Sequence, residues 1–217
     1  MDYQAIRKEY EDQGIDEQQL LECPLQQLEA WLVLATERSP GKWFETNAMT
    51  LATSDGEGHV SSRIVLLKGI TKEGIRFFTN YDSAKGRQLA QNPRCSIVLN
   101  WPHMGRQVRM AGDAERTSRE TSEQYFHSRP RDSQIGAAIS NQSQTLESRE
   151  ELQQRFATLR NDLEGQTIPL PENWGGFLIR PVEFEFWQGR SNRLHDRIVY
   201  STQTGQPAKW RKSCLAP

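Results

Sequence analysis

The chain has 217 residues and a mass of 25.0 kDa, with 27 basic and 28 acidic residues and a pI near 6.5. That length supports one large or two small domains and excludes a peptide or disulfide knot; the near-balance of charge argues against disorder, although Leu, Ile, Val and Phe are only about a fifth of the residues. No global cationic field exists to attract nucleic acid, and a hydrophobic fraction of 35% with a mean hydropathy of -0.76 leaves a thin core, so apolar surface is expected at a subunit interface.

From Pro24 to Arg38, Leu25, Leu28, Leu32 and Ala35 recur at three- and four-residue steps behind a proline in helix-starting position, which predicts an amphipathic helix. The period then changes. AMTLATSD, HVSSRIVLLKGI, IRFFTN, CSIVLNW and RQVRMAGDAERT are short β-branched or alternating runs, split by DGEG, TKEG and HMG, and predict antiparallel hairpins. SRETSEQYFHSR and SREELQQRFATLRNDL follow as helices, with Ser118 and Ser148 as caps in the manner of a capping box. GFLIRP, VEFEFWQG and RIVYST return to alternation, with Val182, Phe184 and Phe186 on one face and Glu183 and Glu185 on the other, before a last short KWRK strand. No repeat or linker interrupts this order, so residues 1–217 are expected to form one α+β domain on a barrel-like sheet.

Cys23, Cys95 and Cys214 are odd in number and far apart, and His59, His103, His127 and His195 have no paired spacing, so neither a disulfide framework nor a metal site is expected. No apolar run approaches the ~20 residues of a membrane span, and the opening MDYQAIRKEYEDQG lacks the apolar stretch of a signal peptide. A cytoplasmic protein without membrane or nucleic-acid partners is expected. Gly-rich phosphate loops and a nucleophile elbow are also missing, which disfavours dinucleotide-fold, P-loop and serine-hydrolase chemistry.

Four stretches carry candidate chemistry. In RIVLLK, Arg63 and Lys68 fall on opposite faces of a strand, where charged ends reaching water are the plain reading; spacing alone does not decide it. TNYDSAKGRQLAQNP leads from a strand through Asp82 or Ser83 into a helix with Lys85 in its first turn, where free N–H groups, the helix dipole and a cation suit a phosphate as well as a solvated surface would. In YFHSRPRDSQIGA, Tyr125, Arg129 and Ser133 are spaced four apart around Pro130 and offer the donors that a phosphate monoester takes. In EFWQGRSNRLHDR, a strand ends at Trp187, breaks at Gly189 and resumes, so that Arg193, His195 and Arg197 are expected to share one β face as a cationic wall beside an indole.

These motifs, with FFTN, RQVR, SNQSQ, WGGF and the terminal LAP, are in order and spacing similar to the pyridoxine (pyridoxamine) 5′-phosphate oxidase family over nearly the whole chain. The resemblance implies an FMN-binding split β-barrel, antiparallel and Greek-key-like with flanking helices, and a homodimer with FMN at the subunit interface. The implied reaction is oxidation of pyridoxine or pyridoxamine 5′-phosphate by O2 to pyridoxal 5′-phosphate. Implied cofactor positions are Arg63, Ile64, Val65, Leu66, Leu67 and Lys68, then Phe78, Thr79, Lys85, Gln107, Gln142, Ser143, Trp187 and Arg197. Implied substrate positions are Lys68, Tyr125, Arg129 and Ser133 at the phosphate, with Arg7 and Tyr10 in a mobile segment, residues 1–20, that can close over the site. Arg193 and His195 are the implied catalytic pair, Arg193 covering the substrate face opposite the flavin and His195 orienting its polar substituents. Ala84 stands where the family usually has an arginine, with Arg87 as the candidate substitute, and Cys214 replaces the usual arginine before Leu-Ala-Pro. Other readings are a split-barrel flavin reductase of different substrate and a noncatalytic pyridoxal phosphate binder.

Overall fold

The structure, a computed structural model, describes residue 3 and residues 9–10, 14–203 and 206–217. Its nine strands form one antiparallel sheet in the order β2 (Val60–Leu66), β1 (Ala48–Ser54), β5 (Arg94–Trp101), β6 (Arg106–Arg116), β7 (Trp174–Gln188), β4 (Ile75–Asn80) and β3 (Gly69–Ile70). The sheet branches at β7, whose later half also carries β8 (Asp196–Gln203), with β9 (Gln206–Cys214) beyond it.

The branch has a local cause. Residues 174–179 of β7 pair with β4, residues 183–188 pair with β8, and β6 runs alongside both halves with a register shift between Ala111 and Gly112 opposite Pro181. A bulge and a proline at the same level bend both strands, so the sheet curls into a half-barrel that splits along β7. Only glycine fits at the bulge: a Cβ on Gly112 would lie 2.2 Å from the Arg180 carbonyl oxygen.

Helix α1 (Pro24–Glu37) closes one side of the half-barrel with Leu25, Leu28, Trp31 and Ala35; Trp31, not Leu32, is the third member of the buried stripe. These side chains meet Met49, Leu51, Ile97, Leu99, Phe184 and Phe186 in the main core, where each large apolar side chain contributes about 1.5–3 kcal/mol by leaving water. A smaller core of Phe126, Ile135, Ile168 and Trp174 lies under α3 (Arg119–Ser128), α4 (Arg131–Ile139) and α5 (Arg149–Asp162). Ser118 and Ser148 cap α3 and α5 by accepting from the backbone N–H three residues on, but that residue is Thr121 in α3, so a capping box with glutamate is possible only at Ser148 and Glu151. Helix α4 does not emerge from the sequence pattern. Glu185, on the face of β7 opposite Phe184 and Phe186, is itself buried at 4% exposure, because two arginines cover it.

Arg7 lies outside the described residues, as does most of the segment before residue 14. Residues 14–20 are anchored: the Ile15 N–H donates to Asp196 Oδ2 at 2.7 Å, and Leu20 is buried against the core. No helix among the described residues is long and apolar enough to cross a membrane.

Candidate active site

A cavity of about 530 Å³ opens between β2, β4, α2 (Ala84–Gln91) and the α3–α4 corner. Each wall has a sequence cause. Ser83 caps α2, its hydroxyl accepting from the Gly86 N–H, and this sets Lys85 in the first turn. Pro130 stops α3 by holding Arg129 extended (φ -78, ψ 152), and α4 starts at once. Tyr125 in the last turn of α3, Arg129 at the corner and Ser133 in the first turn of α4 therefore converge on the cavity.

Among the described residues four cations line it, Arg63, Lys68, Lys85 and Arg129, and no carboxylate does. The Lys85 ammonium donates to Gln142 Oε1 at 2.9 Å and Thr79 Oγ1 at 3.2 Å, all neutral-acceptor contacts. Burial and then the nearby Arg63 charge bring its pKa down to about 8. The Arg129 guanidinium lies 4.9 Å from the Trp174 ring centroid, with Nη1 buried and without a hydrogen-bond partner among the described residues, and burial lowers its pKa below the ordinary arginine value. Tyr125 stacks on Phe78 with ring centroids 3.9 Å apart, nearly parallel to Trp174. Clustered cations, with Lys85 buried, Arg63 and Arg129 half-buried and Lys68 exposed, together with an orphaned guanidinium N–H fit anionic ligands, and the neutral hydroxyls and amides between them fit phosphate oxygens.

Of the positions implied by resemblance, Arg63, Ile64, Val65, Leu66, Lys68, Phe78, Thr79, Lys85, Tyr125, Arg129, Ser133 and Gln142 line this one cavity. Leu67 does not: its side chain turns into the core, and its N–H and carbonyl are both bonded to Asn47. Ser143 is exposed in the loop beyond Gln142 with φ 71. Arg87, the candidate substitute for the arginine missing at Ala84, turns back to donate to the Asp82 carbonyl and is absent from the lining.

The remaining positions form a second group. Gln107, Trp187 and Arg197 are register partners across β6, β7 and β8 and make one row. Glu185 grips Arg197 with both oxygens, at 2.9 and 3.1 Å, and these hydrogen bonds lower the Glu185 pKa. Arg193 and His195 do not continue a strand face as the alternation predicts. Asn192 (φ 55) and Arg193 (φ 61) are left-handed in a 3-10 turn, and β8 begins only at Asp196. The Arg190 N–H donates to His195 Nδ1 at 3.1 Å, so the neutral ring carries its proton on Nε2. Tyr10 meets both Trp187 and His195 edge-on at 5.7 Å. None of this second group lines the cavity in the single chain. Trp174 and Asn80 line it and were given no role from sequence; only the WGGF motif pointed at the former.

The chain is similar to known proteins over nearly its whole length. Residues 42–161 match the family model described as pyridoxamine 5′-phosphate oxidase, and residues 174–217 match the pyridoxine 5′-phosphate oxidase C-terminal dimerisation region. Among similar proteins, the pyridoxine/pyridoxamine 5′-phosphate oxidase of Rhodopirellula baltica is 51% identical over 98% of this chain and 95% of its own length. That of Leptospira interrogans is 44% identical over 98% and 97%. The crystal structure of PhzG from Burkholderia lata in complex with tetrahydrophenazine-1-carboxylic acid superposes with a TM-score of 0.86 at 29% identity, covering 92% of this chain and 95% of that one. A pyridoxamine 5′-phosphate oxidase-related, FMN binding protein from Nostoc punctiforme shares the fold at a TM-score of 0.69 and 19% identity, covering 90% and 98%. With residues 42–161 and 174–217 matched by its two models and a relative 51% identical over 98% of its length, this chain belongs to the pyridoxamine 5′-phosphate oxidase family.

Proposed function

We propose that this chain is an FMN-dependent oxidase that converts pyridoxine 5′-phosphate or pyridoxamine 5′-phosphate to pyridoxal 5′-phosphate. The observation that carries this reading is a single cavity lined, among the described residues, by four cations and no carboxylate, beside stacked aromatic rings. FMN, when bound, accepts two electrons from the substrate and passes them to O2, so the alcohol yields aldehyde and H2O2, while the amine with one water yields aldehyde, NH3 and H2O2.

The protein's part is positioning and charge. Arg63, Lys85, Thr79 and Gln142 hold the cofactor phosphate, and Ile64, Val65, Leu66 and Phe78 wall its flat portion. Lys68, Tyr125, Arg129 and Ser133 hold the substrate phosphate, with the Arg129 Nη1 that lacks a partner among the described residues as one donor. His195, protonated on Nε2, donates to a polar substituent of the substrate, and Arg193 covers its open face. Since Gln107, Trp187, Arg193, His195 and Arg197 stand apart from the cavity of their own chain, and most belong to the matched dimerisation region, a homodimer presents the second group of one subunit to the cavity of the other. The whole chain acts as one domain.

The test is an aerobic assay of FMN-loaded protein. Pyridoxal phosphate and H2O2 are expected in equal amounts from either phosphorylated substrate, with little turnover of unphosphorylated pyridoxine. Oxidation of NAD(P)H in place of the vitamers, or no turnover with flavin bound, would count for a reductase or a carrier.

A further inference from the structure

The Arg63 guanidinium is held from behind by neutral acceptors alone among the contacts seen. It donates to the Leu51 carbonyl at 3.3 Å, to Thr53 Oγ1, to Ser61 Oγ and to Gln88 Oε1 at 3.2 Å. Gln88 is the hub: it sits on α2 three residues after Lys85, and its Oε1 also accepts from Thr53 Oγ1 at 2.6 Å and Ser61 Oγ at 3.0 Å. An arginine can only donate, so the amide must present its oxygen here. Other arginines meet carboxylates, Arg197 on Glu185 at 2.9 Å, Arg180 on Glu115 at 2.7 Å and Arg190 on Asp196 at 3.2 Å, while Arg106 donates to the Gln188 amide oxygen at 2.6 Å.

A carboxylate at position 88 would hold the guanidinium at least as firmly, but it would cancel the charge. An amide fixes the same fork and leaves the charge in place. That charge is felt in the cavity, since Arg63 is one of the two causes that lower the Lys85 pKa. We infer that Gln88 is a positioning residue for cofactor binding: its side-chain carbonyl fixes Arg63 while leaving the guanidinium uncancelled, so that this end of the cavity selects the phosphorylated flavin over riboflavin. The inference rests on the reading of Arg63 and Lys85 as the cofactor-phosphate ligands.

The test measures FMN and riboflavin dissociation constants of flavin-free full-length protein by flavin fluorescence, with thermal melting of each variant. Gln88→Glu is expected to raise the FMN Kd about tenfold or more while riboflavin stays within about twofold and the melting temperature is not lowered, because the new carboxylate pairs with Arg63. Gln88→Met, which removes the acceptor and keeps the charge, is expected to reduce the preference for FMN by about two- to threefold, less than Gln88→Glu does, and an unchanged preference in Gln88→Met would remove the fixing role should Gln88→Glu not fold. A purely structural role predicts the reverse order, since glutamate keeps the hydrogen bonds and methionine does not. Wild-type FMN affinity in Gln88→Glu, equal losses of FMN and riboflavin, or a larger loss in Gln88→Met would each overturn the inference. Arg63→Met separates the two levels: if it leaves FMN binding intact, the phosphate reading falls and takes Gln88 with it, whereas a weakened Arg63→Met beside a normal Gln88→Glu removes Gln88 alone.

Discussion

Lys85 lies beside Arg63 with no carboxylate among the described residues of the cavity lining, and its pKa of about 8 against an ordinary 10.5 makes it a reporter of an anion bound beside it. Below pH 8 the flavin-free fold bears the full penalty of a buried ammonium. As pH rises from about 8 toward 10.5, the folded protein has released a proton that the unfolded chain still binds, so stability increases through that window. A phosphate beside the ammonium reverses the preference and restores the proton. FMN binding at pH 8.5 is therefore expected to take up a fraction of a proton, read by titration calorimetry in buffers of different ionisation enthalpy. Lys85→Met should abolish the uptake and weaken FMN about tenfold or more; an uptake that survives the substitution would place the phosphate elsewhere. Lys85, Tyr125, Arg129 and Ser133 are legible in the sequence because a cap-plus-lysine helix start and donors spaced around a proline are local patterns. Gln88 and Glu185 are not, since their roles depend on partners 25 and 12 residues away, across other elements.

At the scale of elements, alternation and turn signals place the strands well, because period and glycine-containing breaks are properties of each segment alone. They fail where a local conformation interrupts the period. The run Arg193–Arg197 alternates in sequence, yet two left-handed residues, Asn192 and Arg193, turn the chain before β8 starts. Helix α4 hides for the opposite reason: Ser, Gln, Gly and Ala dilute its apolar stripe, and only Ile135 is buried. The branch of the sheet is likewise invisible until β6 and β7 are paired. Gly112 tests its cause, for the Cβ added by Gly112→Ala would meet the Arg180 backbone at 2.2 Å, with no flexible side chain to swing aside. The substitution is expected to cost about 1–3 kcal/mol, a fall in Tm of roughly 3–10 °C in a thermal melt. An unchanged Tm would mean that β6 and β7 can spread at the bulge, and that the bend has another origin.

On the scale of the molecule, the implied site residues divide into a cavity group and a group on β6, β7, β8 and the turn before β8, and one chain does not join them. No local pattern announces this division, because sequence spacing is silent on which subunit a residue serves. Subunit mixing can answer it. Arg129→Met disables the cavity and Arg193→Ala disables the second group, so each homodimer is expected to be nearly inactive with its flavin still bound. In a dimer of one variant with the other, one composite site collects both substitutions and the other collects neither. Random pairing at equal expression makes about half of the dimers mixed, each with one intact site of two, so co-expressed protein should recover about a quarter of wild-type specific activity. Isolation of the mixed dimer through two different affinity tags should raise that figure to about half. Were the site instead completed within a single chain, every site in the mixture would keep one defect, and activity would stay at the level of the separate variants.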